Sequence, residues 1–398
     1  MKFTQRELEQ QQWKIEYQND VLKVFIADVL PLNCCQRENM EDRMLEMENL
    51  VNTFWGVVIL RHIQKRGVPD YETYIGGGKL GEIMEEMKES GANLLIFWNI
   101  LKPYQIYNVN ERLRAIGAKS WDRVDLILKI FERHAKTTEA KLQIELAAIH
   151  HMGPRIFGMW LELSSQGRWG WQSRGKGETN TEIMKRHLRQ REISIREELE
   201  KCKKVRNEHR KARKRKWFIT IGIVGYTNAG KSSLLNLLTR KWVLSQDKLF
   251  ATLGTSVGKM HIAYTDIPED TKKRLGMTEY QEMDILLSDT IGFIRDLPPD
   301  LIDAFSSTLE DSIESDILLH VVDASDPKID EKVEVVDTIL TQIWAHQKKI
   351  YVFNKIDMID QERVETLEFR FQDREKVFIS TYQKSWLQEL IQAILKTL

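Results

Sequence analysis

The feature that most constrains this 398-residue chain is the run Gly225-Tyr-Thr-Asn-Ala-Gly230-Lys231-Ser232. It follows an apolar stretch, Ile219–Val224, and opens a helical one, Ser233–Leu238. A strand, a glycine-rich turn and a helix in that order form a phosphate cradle. The glycines let backbone amides wrap the anion, the lysine reaches the β and γ oxygens, and the hydroxyl of Ser232 holds Mg²⁺. The rest of the C-terminal half has the matching rhythm. Strands are expected at 218–224, 284–288, 317–322 and 350–353, with helices at 231–238, 301–313, 330–345 and 385–397. That alternation predicts an α/β fold with a doubly wound parallel sheet.

Three further signals follow in order. Asp289-Thr290-Ile291-Gly292 ends the strand at 284–288, 58 residues after Lys231. There the aspartate reaches Mg²⁺ through water, and the glycine amide touches the γ-phosphate. Asn354-Lys355-Ile356-Asp357 follows the strand at 350–353. The Asp357 carboxylate matches the two N–H donors of guanine, which adenine lacks, so the pattern specifies GTP over ATP. Ser380-Thr381-Tyr382 falls where a second guanine-contacting loop belongs. Between the first and second signals a threonine must meet Mg²⁺ and the γ-phosphate, and Thr252 and Thr255 are both candidates. The chemistry implied is phosphoryl transfer to water by positioning and electrostatics. Position 293 is Phe, which cannot orient a water, so slow intrinsic hydrolysis is expected. The cradle also resembles that of potassium-activated GTPases, which implies that Asn228 contacts K⁺ near the phosphates; the alternative is that Asn228 only braces the loop.

Three parts are expected: an α/β part over 1–103, a helical hairpin over 104–216 and the nucleotide domain over 217–398. In the first, strand-like runs at 22–29, 57–60 and 94–97 alternate with helical ones at 43–53 and 80–90. Gly76-Gly-Gly-Lys79 reads as a tight turn between strand and helix rather than a second phosphate loop. In the second, Leu142, Leu146 and Ile149 recur at helical spacing, as do Leu188, Ile195, Leu199 and Cys202. Gly153-Pro154 is expected to kink or end the first of these helices. Residues 164–179 hold four glycines and cannot continue a helix.

Charge is concentrated. Lys+Arg and Asp+Glu are both 59, which excludes a globally basic nucleic-acid binder, yet 185–216 carries 15 Lys/Arg against 5 Asp/Glu. Such a face suits RNA phosphates or is simply a solvated helix face. Trp169 and Trp171, beside Arg168, Arg174 and Lys176, suit stacking on unpaired bases, the alternative being that they fold back onto the α/β part. His150 and His151 read as ordinary polar positions, and no zinc spacing occurs. Apolar runs are too short to span a bilayer, and a monomer in the reducing cytoplasm is expected, with no DNA partner.

Several stretches together resemble the HflX family of ribosome-associated GTPases. They are Tyr74-Ile-Gly-Gly-Gly-Lys-Leu80, Asp122 to Phe131, Thr138 to Ala147, Arg174-Gly-Lys-Gly-Glu-Thr179, the phosphate cradle, Leu249-Phe250-Ala251-Thr252-Leu253 with Gly254, and Asp289 to Pro298. The resemblance implies a GTPase that binds the large ribosomal subunit and its RNA and promotes splitting of stalled or idle ribosomes. It also implies that Thr252, rather than Thr255, contacts magnesium, so that Lys231, Thr252 and Gly292 would act on the reacting phosphate. Two other readings stay open: a GTP-switched protein-binding module, and an RNA-binding, ribosome-silencing factor indifferent to nucleotide.

Overall fold

A computed structural model of the chain describes residues 22–30, 37–135, 137–165, 180–215, 219–239, 256–262, 267, 269–274, 283–289, 292–295, 301, 315–383 and 386–398. In chain order the elements are β1 (Leu22–Leu30), α1 (Arg37–Thr53), β2 (Gly56–Lys65), α2 (Gly77–Ser90), β3 (Leu94–Phe97), α3 (Pro103–Leu113), β4 (Lys119–Asp122), α4 (Arg123–His134), α5 (Thr138–Ser165) and α6 (Asn180–Arg215). They continue with β5 (Ile219–Gly225), α7 (Lys231–Thr239), β6 (Ser256–Ile262), α8 (Glu269–Arg274), β7 (Met283–Asp289), β8 (Ile317–Asp323), α9 (Ile329–Gln342), β9 (Lys348–Asn354), α10 (Gln361–Arg370), β10 (Lys376–Phe378) and α11 (Leu387–Thr397). The chain packs as two compact units, one of residues 1–130 and 148–191, the other of 131–147 and 192–398.

The first unit is built on a parallel four-stranded sheet in the order β2-β1-β3-β4. Alternation along each strand sends Phe25, Ala27, Val29, Leu95 and Phe97 to one face. There they meet Leu80, Ile83 and Met87 of α2 and Ile106, Val109 and Leu113 of α3. Val24 and Ile26 lie on the other face and are as fully buried. Burying a side chain of this size is worth roughly 1.5–3 kcal/mol, so these layers rather than helix propensity hold the unit. Strand β4 falls in a stretch read as helical from the sequence. Four residues are too few for a period to register, and pairing to β3 decides the conformation. The expected tight turn at Gly76–Lys79 is corrected: Gly77, Gly78 and Lys79 already form the first turn of α2, and only Gly76 precedes it. Gly76 caps α2, and its amide donates to Gln64 Oε1 at 2.8 Å.

Of the two outcomes expected at Gly153-Pro154, a kink or an end, the structure excludes the end: α5 continues through both residues to Ser165. The basic helix α6 runs for 36 residues, about 54 Å at ~1.5 Å per residue. Lys185, Arg186, Arg189, Lys201, Lys203 and Lys204 on it are exposed, Ile195 is buried, and Arg206 pairs with Glu139 of α5 at 3.2 Å.

The second unit carries a six-stranded sheet, β10-β9-β8-β5-β7-β6. It is the expected doubly wound sheet with one exception: β6 runs antiparallel to β7 at the edge. Every other pairing is parallel. Strand β9 shows why both faces are covered: Ile350 and Val352 point into the core with α7 and α11, while Tyr351 and Phe353 join the core with α9 and α10. The chain reverses direction across the sheet at β5, so the crevice beyond the carboxyl end of β5 is where this topology places a ligand.

Candidate functional site

The phosphate cradle occupies that crevice. Gly225 ends β5 with φ 152°, and a Cβ there would sit 2.2 Å from the Val321 carbonyl oxygen of β8. Only glycine lets the two strands come so close. Beyond the strand ends the backbone goes on pairing: Phe293 N donates to Gly225 O at 3.1 Å and Thr227 N donates to Phe293 O at 2.8 Å. The loop is thereby tied to the segment after Asp289. The Phe293 side chain is buried, so the residue at the position where other GTPases place a glutamine contributes its backbone as a brace.

Past that brace the loop turns through two positive-φ residues, Asn228 at 63° and Gly230 at 96°. Asn228 is exposed while its neighbours Thr227 and Ala229 are buried. A Cβ on Gly230 would meet Asn354 Nδ2 at 2.1 Å. The reason is a contact that sequence spacing does not reveal: Asn354 Nδ2 donates to Ala229 O at 2.9 Å, and Thr381 N donates to Asn354 Oδ1 at 3.3 Å. One fully buried amide therefore joins all three of the motifs around 229, 354 and 381.

Lys231 opens α7, is 6% exposed, and donates from Nζ to Tyr226 O at 2.8 Å. Burial pulls its pKa down to about 8, with the Asp289 carboxylate opposing. Nζ lies 3.0 Å from where a Cβ on Gly292 would be, so the lysine and that glycine face one spot. Ser232 Oγ donates to Asp289 Oδ2 at 2.7 Å, with Asp289 fully buried. A hydroxyl and a carboxylate held side by side next to a cradle for polyphosphate form an oxygen donor set of the kind Mg²⁺ prefers, and the residues present fit that ion.

On the base side Asp357 sits in a 3₁₀ turn, Ile356–Met358, exposed, with Oδ1 accepting the Ser380 hydroxyl. Ser380 is buried, and its carbonyl accepts the Trp386 indole N–H. Lys355, at φ 67°, donates to Asp323 Oδ2 at 2.6 Å at the end of β8. Ile356 N donates to Ile379 O at 3.3 Å, which brings the 354–357 and 380–382 segments together. Tyr382 projects outward at 85% exposure. Asp323 and Trp386 were not singled out from the sequence, and of the two only Asp323, an acid at a strand end, carried a signal that could have been noticed. Tyr226, already part of the cradle motif, adds a brace through its hydroxyl, which accepts from Arg295 N at 2.9 Å.

Thus Gly225–Ser232, Asp289, Gly292, Asn354–Asp357 and Ser380–Tyr382 lie at one end of the second sheet. Phe250, Ala251, Thr252, Leu253, Gly254, Thr290 and Ile291 lie outside the described residues, as do Arg168, Trp169, Trp171, Arg174 and Lys176. Among the described residues no helix is long and apolar enough to cross a membrane.

Comparison with known proteins agrees with this geometry. Residues 220–355 match the family described as 50S ribosome-binding GTPase, 41–132 the GTP-binding GTPase N-terminal family, and 134–213 the GTP-binding GTPase middle region. The chain is 39% identical over 355 residues to the GTPase HflX of Caldanaerobacter subterraneus subsp. tengcongensis, covering 89% of this chain and 76% of that one. It is 38% identical over 367 residues to the GTPase HflX of Escherichia coli K12, covering 91% and 80%. Among solved structures it is similar to a crystal structure of SsGBP in complex with GDP, with TM-score 0.53 and 26% identity over 94% of this chain and 98% of that one.

Proposed function

The chain belongs to the HflX family of GTPases, and from that membership we propose that this GTPase acts on the large ribosomal subunit and separates the subunits of stalled or idle ribosomes. The single observation that carries the site assignment is the Asn354 bridge. It ties the phosphate cradle to the 354–357 and 380–382 segments, which supports a frame that would hold both the phosphates and the guanine of one nucleotide.

In this reading Lys231 balances the β and γ oxygens and Gly292 offers its amide to the γ-phosphate. Ser232 and Thr252 would hold Mg²⁺, and Asp289 would reach it through water. The magnesium supplies charge stabilisation at the reacting phosphate when bound. Gly225 to Gly230 wrap the phosphates. Phe250 to Gly254, Thr290 and Ile291 are assigned to the nucleotide from the sequence motifs alone. Asn354, Lys355, Ile356, Asp357, Ser380, Thr381 and Tyr382 frame the base. With Phe293 buried behind the cradle, no side chain at that position orients a water. Hydrolysis is slow in the free protein and is raised by the ribosome.

The ribosome reading is supported by the family description matching residues 220–355 and by the exposed lysines and arginines along α6. Trp169 and Trp171 would stack on ribosomal RNA bases, worth roughly 1–3 kcal/mol each, with Arg168, Arg174 and Lys176 on phosphates. Co-sedimentation with purified large subunits, in a non-hydrolysable GTP analogue and in GDP, tests it. Binding that requires the analogue, followed by subunit separation of whole ribosomes, is expected. Absence of binding in both states would overturn the reading and leave a GTP-switched protein-binding module. Equal binding in both would instead favour a silencing factor.

A further inference from the structure

Far along the chain from the nucleotide site, Asp122 ends β4 and Asp125 lies in the first turn of α4. They hold each other reciprocally: Asp125 N donates to Asp122 Oδ1 at 3.0 Å, and Asp122 N donates to Asp125 Oδ2 at 3.0 Å. Asp122 Oδ2 also accepts Leu101 N at 3.2 Å. This double cap fixes both carboxylates. His151 of α5 comes between them, with Nε2 3.3 Å from Asp122 Oδ1 and 3.3 Å from Asp125 Oδ1. Asp122 is fully buried, and the side chains of Asp125 and His151 are 12% and 13% exposed.

The distances matter. A ring N–H points along one line and bonds one acceptor at about 2.9–3.0 Å. Here one nitrogen is equidistant from two oxygens, farther than that from each, shielded from water and without a hydrogen bond of acceptable geometry. A tetrahedral ion with bonds of ~2.0–2.1 Å separates its ligand atoms by about 3.3–3.4 Å. Two of the three edges of this triangle already have that length. The third is within 4.8 Å. The nearest arginine in sequence, Arg123, is turned away to Glu46 at 2.6 Å and lies over the Trp98 ring.

We propose that Asp122, Asp125 and His151 bind one divalent transition-metal ion of the zinc type, with a fourth position left to water. One imidazole with two carboxylates suits zinc better than magnesium or calcium, which favour all-oxygen sites. The ion would fasten the middle of α5 to the β4–α4 corner. Its competitor is a proton. Burial works against charge on His151, but the two carboxylates outweigh it and push the imidazole up to about 9. Zinc entering near neutral pH must therefore displace a proton.

The test uses the full-length protein stripped with chelator, titrated with ZnCl₂ against a chromophoric chelator in excess Mg²⁺ and GDP. The expected result is one zinc per chain, with release of about one proton near pH 7.5 and a raised melting temperature. His151→Ala and Asp125→Asn should each weaken that zinc at least about tenfold while binding GDP normally. The asparagine keeps the capping oxygen, so it reports charge and ligation rather than loss of fold. No zinc retained, or zinc retained equally by wild type and both variants, would overturn the proposal. So would a pattern in which the variants change only the pH dependence of melting, since His151 would then be a protonated bridge.

Discussion

Lys231 makes nucleotide affinity depend on pH in a direction that can be worked out beforehand. In the free protein the residue is 6% exposed and its pKa is lowered to about 8 by burial. Phosphate oxygens beside it would restore the charged form, so the bound pKa lies above the free one and binding takes up a proton. Affinity is then complete below the free value and falls as pH rises through 8. At pH 7 about nine-tenths of free Lys231 is charged, and at pH 9 about one-tenth, so the dissociation constant for GDP should rise about tenfold between them. The same sign argument applies to folding. A lysine depressed in the folded state binds fewer protons there than when unfolded, so the nucleotide-free protein gains stability from about pH 8 up to about 10.5. Titration of a fluorescent GDP analogue at pH 7, 8 and 9 measures the first effect. Calorimetry at pH 8.5 in buffers of different ionisation enthalpy counts the proton. Lys231→Arg is the control, because a guanidinium stays charged throughout and the nucleotide's own ionisations act equally on both proteins. A flat wild-type profile, or the same slope in the arginine variant, would refute the reasoning.

Asn354→Ala strands the Ala229 carbonyl and the Thr381 amide, costing about 2–4 kcal/mol. Calorimetric melting of the nucleotide-free protein should drop by roughly 5–10 °C, whereas an unchanged melting temperature would mean that Asn354 serves the ligand alone. Asp357→Asn should weaken GTP by at least about a hundredfold and improve xanthosine triphosphate, read by competition binding, because the new amide donor matches a carbonyl at C2. If Asn228 helps hold K⁺ over the phosphates, hydrolysis with ribosomes present should run faster in KCl than in NaCl at matched ionic strength. Equal rates would dismiss the ion.

The parts legible in the sequence were those where one local pattern sufficed. Strands β5, β8 and β9 are apolar runs ended by Gly225, Asp323 and Asn354, and a strand buried on both faces shows itself as such a run; β7, ended by Asp289, alternates buried and half-buried positions instead. Strand β6 was less visible. Ser256–Ile262 alternates weakly, and its antiparallel place at the edge depends on pairing with β7. The site was legible as four motifs but not as one object. Nothing in the spacing of Asn354 and Ala229, 125 residues apart, says that they touch. His151 was read as an ordinary polar position for the same reason. Its partners are 26 and 29 residues back in the chain, and a helix period tells which residues share a face, not what that face meets.

The pairing of Phe293 with Gly225 and Thr227 has a bearing on how spent nucleotide leaves. Two interstrand hydrogen bonds extend the sheet into the cradle, so the loop is set before any ligand arrives. Fixing a free backbone costs about 1–2 kcal/mol per residue, and here folding has already met that cost. Capture can be fast, because little has to order on contact. The same stiffness closes one exit: the cradle cannot loosen its grip by fraying without breaking the pairing that extends the C-terminal end of β5. The clock that times departure must therefore be set by segments that carry no such ladder. Amide hydrogen exchange at Phe293 and Thr227 should accordingly be as slow as in the strands themselves.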